Sequence, residues 1–281
     1  KTNAFSYICL VSVFLLILAL CTITIFVAKS GLLTFSDISL SDFFLSKTWI
    51  PQEGKFGSLS FIWGTLSLTF LSILISLPFS LCLAIFMVEI SPTWMKNIIN
   101  PCLDLLVGIP SIVYGYLGLT ILLPILRKIS GSNMGDGLLA AAIVLAIMIL
   151  PTITRVSADA INSIPKSYRY SAYALGATRS QTIIRSVLPA ASNGIITAVI
   201  LGMVRAFGET MAVVMVIGNT PHLTFDLFKP TSVLTSNIVM QITNVKMGTL
   251  WSNALYMQSF LLLLLSLGLI IIVRFIGKGR K

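Results

Sequence analysis

The sequence predicts an all-α integral membrane protein with six transmembrane helices. Three observations carry that expectation. Of the 281 residues, 56% are hydrophobic and only 10% are charged, where a soluble domain carries about a quarter charged residues. Mean hydropathy is +0.98, a membrane-class value. Six separate stretches are long and apolar enough for a helix across the bilayer core, which takes roughly 20 residues. They are 5–28, 60–88, 98–126, 137–158, 190–217 and 251–276.

The first stretch exceeds the usual h-region of about 7–15 residues in a signal peptide. No small-residue cleavage site follows it, so it reads as an uncleaved span. The chain opens on Lys1 rather than Met, which leaves its true N-terminus open. Pro78 interrupts the second stretch and Pro151 the fourth. Membrane helices tolerate such breakers because neighbouring helices re-satisfy the freed backbone groups. The third stretch is denser in them: "VGIPSIVYGYLG", 107–118, holds Gly108, Pro110, Gly115 and Gly118. It predicts a bent helix at a close helix contact or beside a pathway, with Gly108, Pro110, Ser111 and Tyr114 at the bend. The bland alternative is packing alone, since small residues let membrane helices approach closely. Cys9, Cys21, Cys82 and Cys102 lie in or beside apolar runs without metal-ligand spacing, and His222 is the only histidine. No disulfide framework, metal site or cofactor is expected.

Lys and Arg set the orientation. With a cytoplasmic N-terminus, the inside segments hold Lys1, Lys96, Arg155, Lys166, Arg169, Arg179, Arg185, Arg274, Lys278, Arg280 and Lys281. The outside segments hold Lys29, Lys47, Lys55, Arg127, Lys128, Lys229 and Lys246. Eleven against seven favours both termini inside, although Arg127 and Lys128 run against the rule. The net charge of +10 therefore reads as basic cytoplasmic loops, not as a nucleic-acid surface. Outside loops 30–59 and 218–250 are long and polar enough for short re-entrant or surface helices.

The inside loop between spans four and five reads "NSIPKSYRYSAYALGATRSQTIIRSVLPAASNG", 162–194. Pro165 suits a first helical turn, and Gly176 the position just past a helix end. Thr178 and Gln181 form a capping-box pattern, opening a second helix expected to run to Leu188–Pro189. Tyr168, Tyr170 and Tyr173 alternate with Lys166, Arg169 and Arg179. Aromatics and Arg are favoured at interface cores, so the loop reads as a docking element. The alternative is a solvated connector carrying the usual inside charges.

The run "YSAYALGATRSQTIIRSVLP" resembles the EAA loop of ABC-importer permeases. Ala172 matches the motif's second Ala, Gly176 stands four residues on, and Leu188–Pro189 closes it with Gly176 and Pro189 thirteen apart. Tyr170 stands where the family often has Glu, Ser171 replaces the first Ala, and Ser186 sits at the usual Ile position. The resemblance implies a type I importer permease fold whose short cytoplasmic coupling helix fits a groove on a separate ATPase. Tyr170, Ser171, Ala172, Tyr173, Gly176 and Arg179 would carry that contact. The sequence has no G-x-x-x-x-G-K-[ST] phosphate loop, so the chain is not itself the ATPase and is not read as an enzyme.

Two further runs, "VGIPSIVYGYLGL" in span three and "GMVRAFGETMAVVMVIGNT" in span five, look like the phosphate importer permeases of PstC type. The sibling PstA type shares the loop and a related span-five arginine. The resemblance implies a bacterial inner-membrane permease working with a PstA-type permease, a PstB-type ATPase dimer and an extracytoplasmic PstS-type phosphate-binding protein. One permease domain would fill 1–281, with its core at 60–276, a first span and outer loop at 1–59 and the coupling loop at 162–189. Span five itself carries Arg205 and Glu209, two costly side chains in lipid. Four residues apart, they would share a helix face near the midplane and offset each other as an ion pair. The functional alternative makes Arg205 a planar donor fork for inorganic phosphate. Glu209 would then accept from a protonated phosphate and repel sulfate, with Thr210 beside it. Competing classes are an ion-coupled secondary transporter, disfavoured by the lack of an inverted repeat; a membrane enzyme, disfavoured by the lack of a catalytic constellation; and an ABC permease for another oxyanion or small solute.

Overall fold

The computed structural model describes residues 2–131 and 135–278; Lys1, Arg280 and Lys281 of the charge count lie outside the described residues. α1 (Thr2–Leu32) is the first span. A 3-10 turn, α2 (Leu40–Leu45) and a hairpin of β1 (Trp49–Ile50) and β2 (Lys55–Phe56) fill the next loop, with Trp49 opposite Phe56. α3 (Leu59–Ile85), prolonged by a π turn to Ile90, is the second span, and α4 (Thr93–Gly108) follows it. α5 (Ser111–Leu117), a π turn and α6 (Leu123–Ser130) make the third, and α7 (Leu138–Asn162) the fourth. α8 (Lys166–Ala174) and α9 (Arg179–Thr182) form the next loop. α9 runs through a π turn into α10 (Leu188–Gly208), and α11 (Met211–Val216) extends the fifth span. α12 (Leu234–Ile242) lies in the last long loop before α13 (Leu250–Lys278). Six helical segments, Ser6–Ser36, Leu59–Ile90, Ser111–Ile129, Leu138–Asn162, Arg179–Gly208 and Leu250–Ile271, are long and apolar enough to cross a membrane.

The core is the seam of α3, α7 and α10. α7 is buried around most of its girth, with Leu145, Ile149 and Ile153 fully enclosed. α3 faces it with a ladder of small hydroxyl residues. Thr65, Thr69 and Ser72 bond back to the carbonyls of Phe61, Thr65 and Leu68 at 2.7–2.9 Å. Each hydroxyl is thus satisfied inside its own helix, and the short side chains let the two backbones approach. A second cluster joins the loop between spans one and two to α12 and α13 through Phe43, Trp49, Phe61, Leu234 and Leu255. Amides hold it together: Asn237 donates to Gln258 at 2.7 Å, Gln258 to Ser58, Gln241 to Asn237, and Trp49 and Trp251 to Gln241. The two long loops are therefore structured, with helices in each and one short hairpin. α1 lies against α13 with its apolar surface exposed almost throughout.

Two expected boundaries change. The stretch 98–126 is not one span. Its first part belongs to α4, which ends at Gly108, and the span begins at Ser111. The proline ring of Pro110 disfavours helical backbone at the residue before it, and Ile109 is extended at φ −68°, ψ 128°. α4 carries Lys96, Asn97, Asn100 and Asp104, and Arg155 of α7 bonds Asp104 at 2.5 Å and the Asn100 carbonyl at 3.1 Å. The second change is at Pro189, where the loop helix continues into the span. The π turn Ile183–Val187 makes this possible, with Leu188 N–H donating five residues back to Ile183. A proline offers no N–H and crowds the carbonyl four residues behind it; the wider turn draws that carbonyl, Arg185's, aside. The π turn Gly118–Leu122 stands in the same relation to Pro124, whereas after Phe86–Ile90 the chain turns extended at Ser91 ahead of Pro92.

Candidate functional site

α10 ends three residues after Arg205. Gly208 is its last residue, and Glu209 is extended at φ −71°, ψ 129°. Arg205 and Glu209 therefore do not share a helical face, and no ion pair joins them among the described residues. The half-buried Arg205 donates from Nη1 to Thr152 Oγ1 of α7 at 3.0 Å. It lies in the last turn of α10, where the free carbonyls of a helix end favour a cation. Glu209 turns forward instead. Its Oε1 accepts from the N–H groups of Thr210 at 3.1 Å and Ala212 at 3.3 Å, capping α11. Thr210 Oγ1 donates to the Gly208 carbonyl at 3.2 Å, and Thr235 Oγ1 of α12 to the Glu209 carbonyl at 3.3 Å. Span five is thus broken between its two charges, and the break is tied down by hydrogen bonds on both sides.

A second break, between α4 and the start of span three, lies beside it. Pro110 is the N-cap of α5, and Ser111 its first residue. Buried Tyr114 donates its hydroxyl to the Leu106 carbonyl of α4 at 2.7 Å, bridging the break, and lies within electrostatic reach of Arg205. α5 packs on α11 through Gly115, where a Cβ would stand 2.9 Å from the Ala212 Cα. Gly118 similarly admits Val144 and Val216. The dense glycine run is therefore a close helix contact, and the contact joins the start of span three to the part of span five beyond its break. Gly108 is exposed and has no neighbour where a Cβ would point. Thr152 and Thr235 carry no signal of their own in sequence, since other hydroxyl residues stand beside each, Thr154 near the first and Ser236 next to the second.

The loop site follows the expected order. α8 starts after Pro165 and closes in a Schellman turn: Gly176 N–H donates to Tyr173 at 2.9 Å and Ala177 N–H to Ala172 at 3.1 Å. Gly176 has φ +78°, the left-handed region that glycine enters at no steric cost. The capping box of Thr178 and Gln181 is formed in both directions. Tyr170 is 66% exposed and Leu175 89%, with Ser171 and Tyr173 also at the surface and Ala172 half-buried. Arg179 is exposed along its stem, but its guanidinium turns back to the Glu89 carbonyl at the end of span two. Arg169 faces inward and pairs with Glu89. Glu89 escapes a sequence reading because its partners lie 80 and 90 residues away.

Residues 80–281 match the family described as binding-protein-dependent transport system inner membrane component. The chain is 45% identical to the probable ABC transporter permease protein YqgH of Bacillus subtilis, over 95% of this chain and 88% of that protein. It is 33% identical to the phosphate transport system permease protein PstC of Pasteurella multocida, over 96% of this chain and 90% of that one. Among solved structures, it superposes on a bacterial ABC transporter involved in alginate import with a TM-score of 0.58, at 17% identity, covering 79% of each chain. The MetNI methionine ABC transporter, in an inward-facing conformation, gives 0.54 at 23% identity, covering 77% of this chain and 91% of that one. The architecture is that of type I ABC importer permeases.

Proposed function

Starting from the chain's membership of the binding-protein-dependent transport system inner membrane component family, we propose that it is the PstC-type permease of an ATP-driven inorganic phosphate importer. The observation that carries the substrate is Arg205. It is a half-buried guanidinium at the end of a broken helix, held by one hydroxyl and left without an ion pair among the described residues. A planar donor fork with spare N–H groups matches phosphate oxygens, and broken helices that bring termini together are a recurrent form of membrane binding site. The phosphate permeases among the relatives, PstC of Pasteurella multocida and of Haemophilus influenzae, support that assignment over another oxyanion.

In this reading a phosphate passes Arg205 with Glu209 and Thr210 at the break. Glu209 accepts from the P–OH of a protonated phosphate and repels the fully ionised sulfate. The break ahead of span three, at Gly108, Pro110, Ser111 and Tyr114, forms the facing wall. A PstA-type permease supplies the other half of the pathway, and a PstS-type binding protein delivers the anion. A PstB-type ATPase dimer receives α8 through Tyr170, Ser171, Ala172, Tyr173, Gly176 and Arg179. Residues 1–281 act as one permease domain in a bacterial cytoplasmic membrane, with both termini inside. The test is uptake of labelled phosphate by proteoliposomes holding the four-component complex, with sulfate and molybdate as competitors. Uptake that needs ATP and ignores both competitors is the expected result; equal uptake of the three anions would remove the phosphate assignment.

A further inference from the structure

We propose that Glu89 is the grip by which the coupling loop holds span two, so that movement of α8 reaches α3 and α7 together. This rests on the reading of α8 as the ATPase-docking helix. No residue of α8 is buried, so no apolar core carries its motion inward. What ties it to span two is Arg169. Its Nε and Nη2 both donate to Glu89 Oε1, at 3.0 and 2.5 Å. Nη1 donates to the Ile164 carbonyl at 2.9 Å and Nη2 to the Ile161 carbonyl at 3.2 Å, at the end of α7. One guanidinium thus joins the ends of α3, α7 and α8. The side chains of Arg169 and Glu89 are 17% and 10% exposed, which sets the pair apart from the exposed Lys55–Glu53 and Lys229–Asp226 pairs.

The second half of the loop holds the same residue. Arg179, opening α9, donates to the Glu89 main-chain carbonyl. That carbonyl is available because the helix stops at Ile90, which leaves its last carbonyls without an intrahelical donor. Both halves of the helix–turn–helix therefore close on one acid at the foot of span two. Tyr168, Tyr170 and Tyr173 are exposed along α8, and Tyr170 and Tyr173 line one recess with Arg169 and Glu89. A push on those rings reaches span two at the arginine. Charge-assisted bonds are short and directional, and a buried ion pair is weak evidence for stability. The arrangement suits transmission better than it suits holding the fold.

The test uses the four-component complex in proteoliposomes, reading phosphate imported per ATP hydrolysed. Glu89→Gln keeps the shape and removes the charge. It is expected to lower that ratio by roughly fivefold or more, within the usual range of coupling between sites. Glu89→Asp should keep most of it. A Tyr170→Cys cross-link to the ATPase should form equally in both. If Glu89→Gln yields no complex, Glu89→Gln/Arg169→Gln, which leaves neither charge unpaired, is read in its place. An unchanged ratio, or less complex with an unchanged ratio, overturns the grip. Absence of the Tyr170→Cys cross-link in the otherwise unaltered complex would overturn the docking reading itself, and the grip with it.

Discussion

Arg205 lies three residues before its helix ends, and that position changes the account of its cost. An arginine at the centre of a span costs roughly 2.5–3.5 kcal/mol on the insertion scale. A cation in the last turn of a helix recovers about 0.3–1 kcal/mol, and up to ~2 when partly buried. A hydrogen bond to a charged group adds about 1.5–3 kcal/mol, here from Thr152. These offset the cost without Glu209, so the charge needs no ion pair and its donors stay open to a ligand. Arg205→Ala should abolish phosphate uptake while the complex still assembles, as read by transport beside size-exclusion chromatography. Arg205→Lys should rescue only part of it, since the planar fork is lost. Glu209 separates two roles in one position. Its carboxylate caps α11, and Gln retains an oxygen for those N–H groups. Glu209→Gln should therefore leave the melting temperature near the parent's, yet lower phosphate uptake and admit sulfate. Glu209→Ala should also lose the cap, worth about 1 kcal/mol. Parental uptake and selectivity in Glu209→Gln would reduce the residue to a cap.

At the scale of elements, spans three and five meet through Gly115 and Ala212. The obstacle to a larger residue there is backbone, which cannot swing aside. Gly115→Leu should overpack the contact by about 1–3 kcal/mol and lower the melting temperature of the purified complex. A parental melting temperature would mean that α5 and α11 are free to separate. Gly176 is the opposite case. Nothing stands within 4 Å of where its Cβ would be, and only φ +78° is special. Gly176→Val pays the left-handed penalty of roughly 1–2 kcal/mol and should unseat the Schellman turn, uncoupling ATP hydrolysis from uptake at near-normal protein levels. Gly176→Asn, which tolerates the left-handed region, should keep coupling. Equal coupling in both would show that the turn's geometry is not what docks. The prolines divide in the same physical way. Pro110 ends a helix because Ile109 turns extended ahead of it, whereas Pro124 and Pro189 ride inside helices behind π turns. The residue types alone do not choose between these outcomes, since the choice depends on whether neighbours hold the chain straight.

For the whole molecule, hydropathy located all six spans because it measures transfer into lipid, which backbone continuity barely affects. For the same reason it missed the helix ends at Gly108 and Gly208, and it joined α4 to span three. The loop's helix start, glycine turn and capping box were legible, since caps and glycine turns are local; its end was not, because the helix runs on past Pro189. Thr152 and Glu89 were not, because their partners are distant in sequence. Orientation is the property most open to a direct test. Arg127 and Lys128 lie in the last turn of α6, and Lys29 in the last turn of α1. Helix ends attract cations for their own local reason, so these three say little about which side faces the cytoplasm. Removing them from the seven outside charges leaves four, Lys47, Lys55, Lys229 and Lys246; the same discount takes Arg179 and Arg185 from the eleven inside and leaves nine. Lys55 and Lys229 are moreover paired with Glu53 and Asp226. Arg155 and Arg169 are paired likewise, and nine against four is the bias from which we expect cytoplasmic termini, with α8 inside and the loop at Asp226 outside. All four native cysteines are exposed, so they are replaced first, and Ser171→Cys and Asp226→Cys are introduced singly at exposed positions. A membrane-impermeant maleimide should label the Asp226→Cys variant in intact cells and the Ser171→Cys variant only after permeabilisation. Labelling of both in intact cells would place α8 outside, beyond the reach of any ATP-driven partner, and the coupling assignment would fall with the topology.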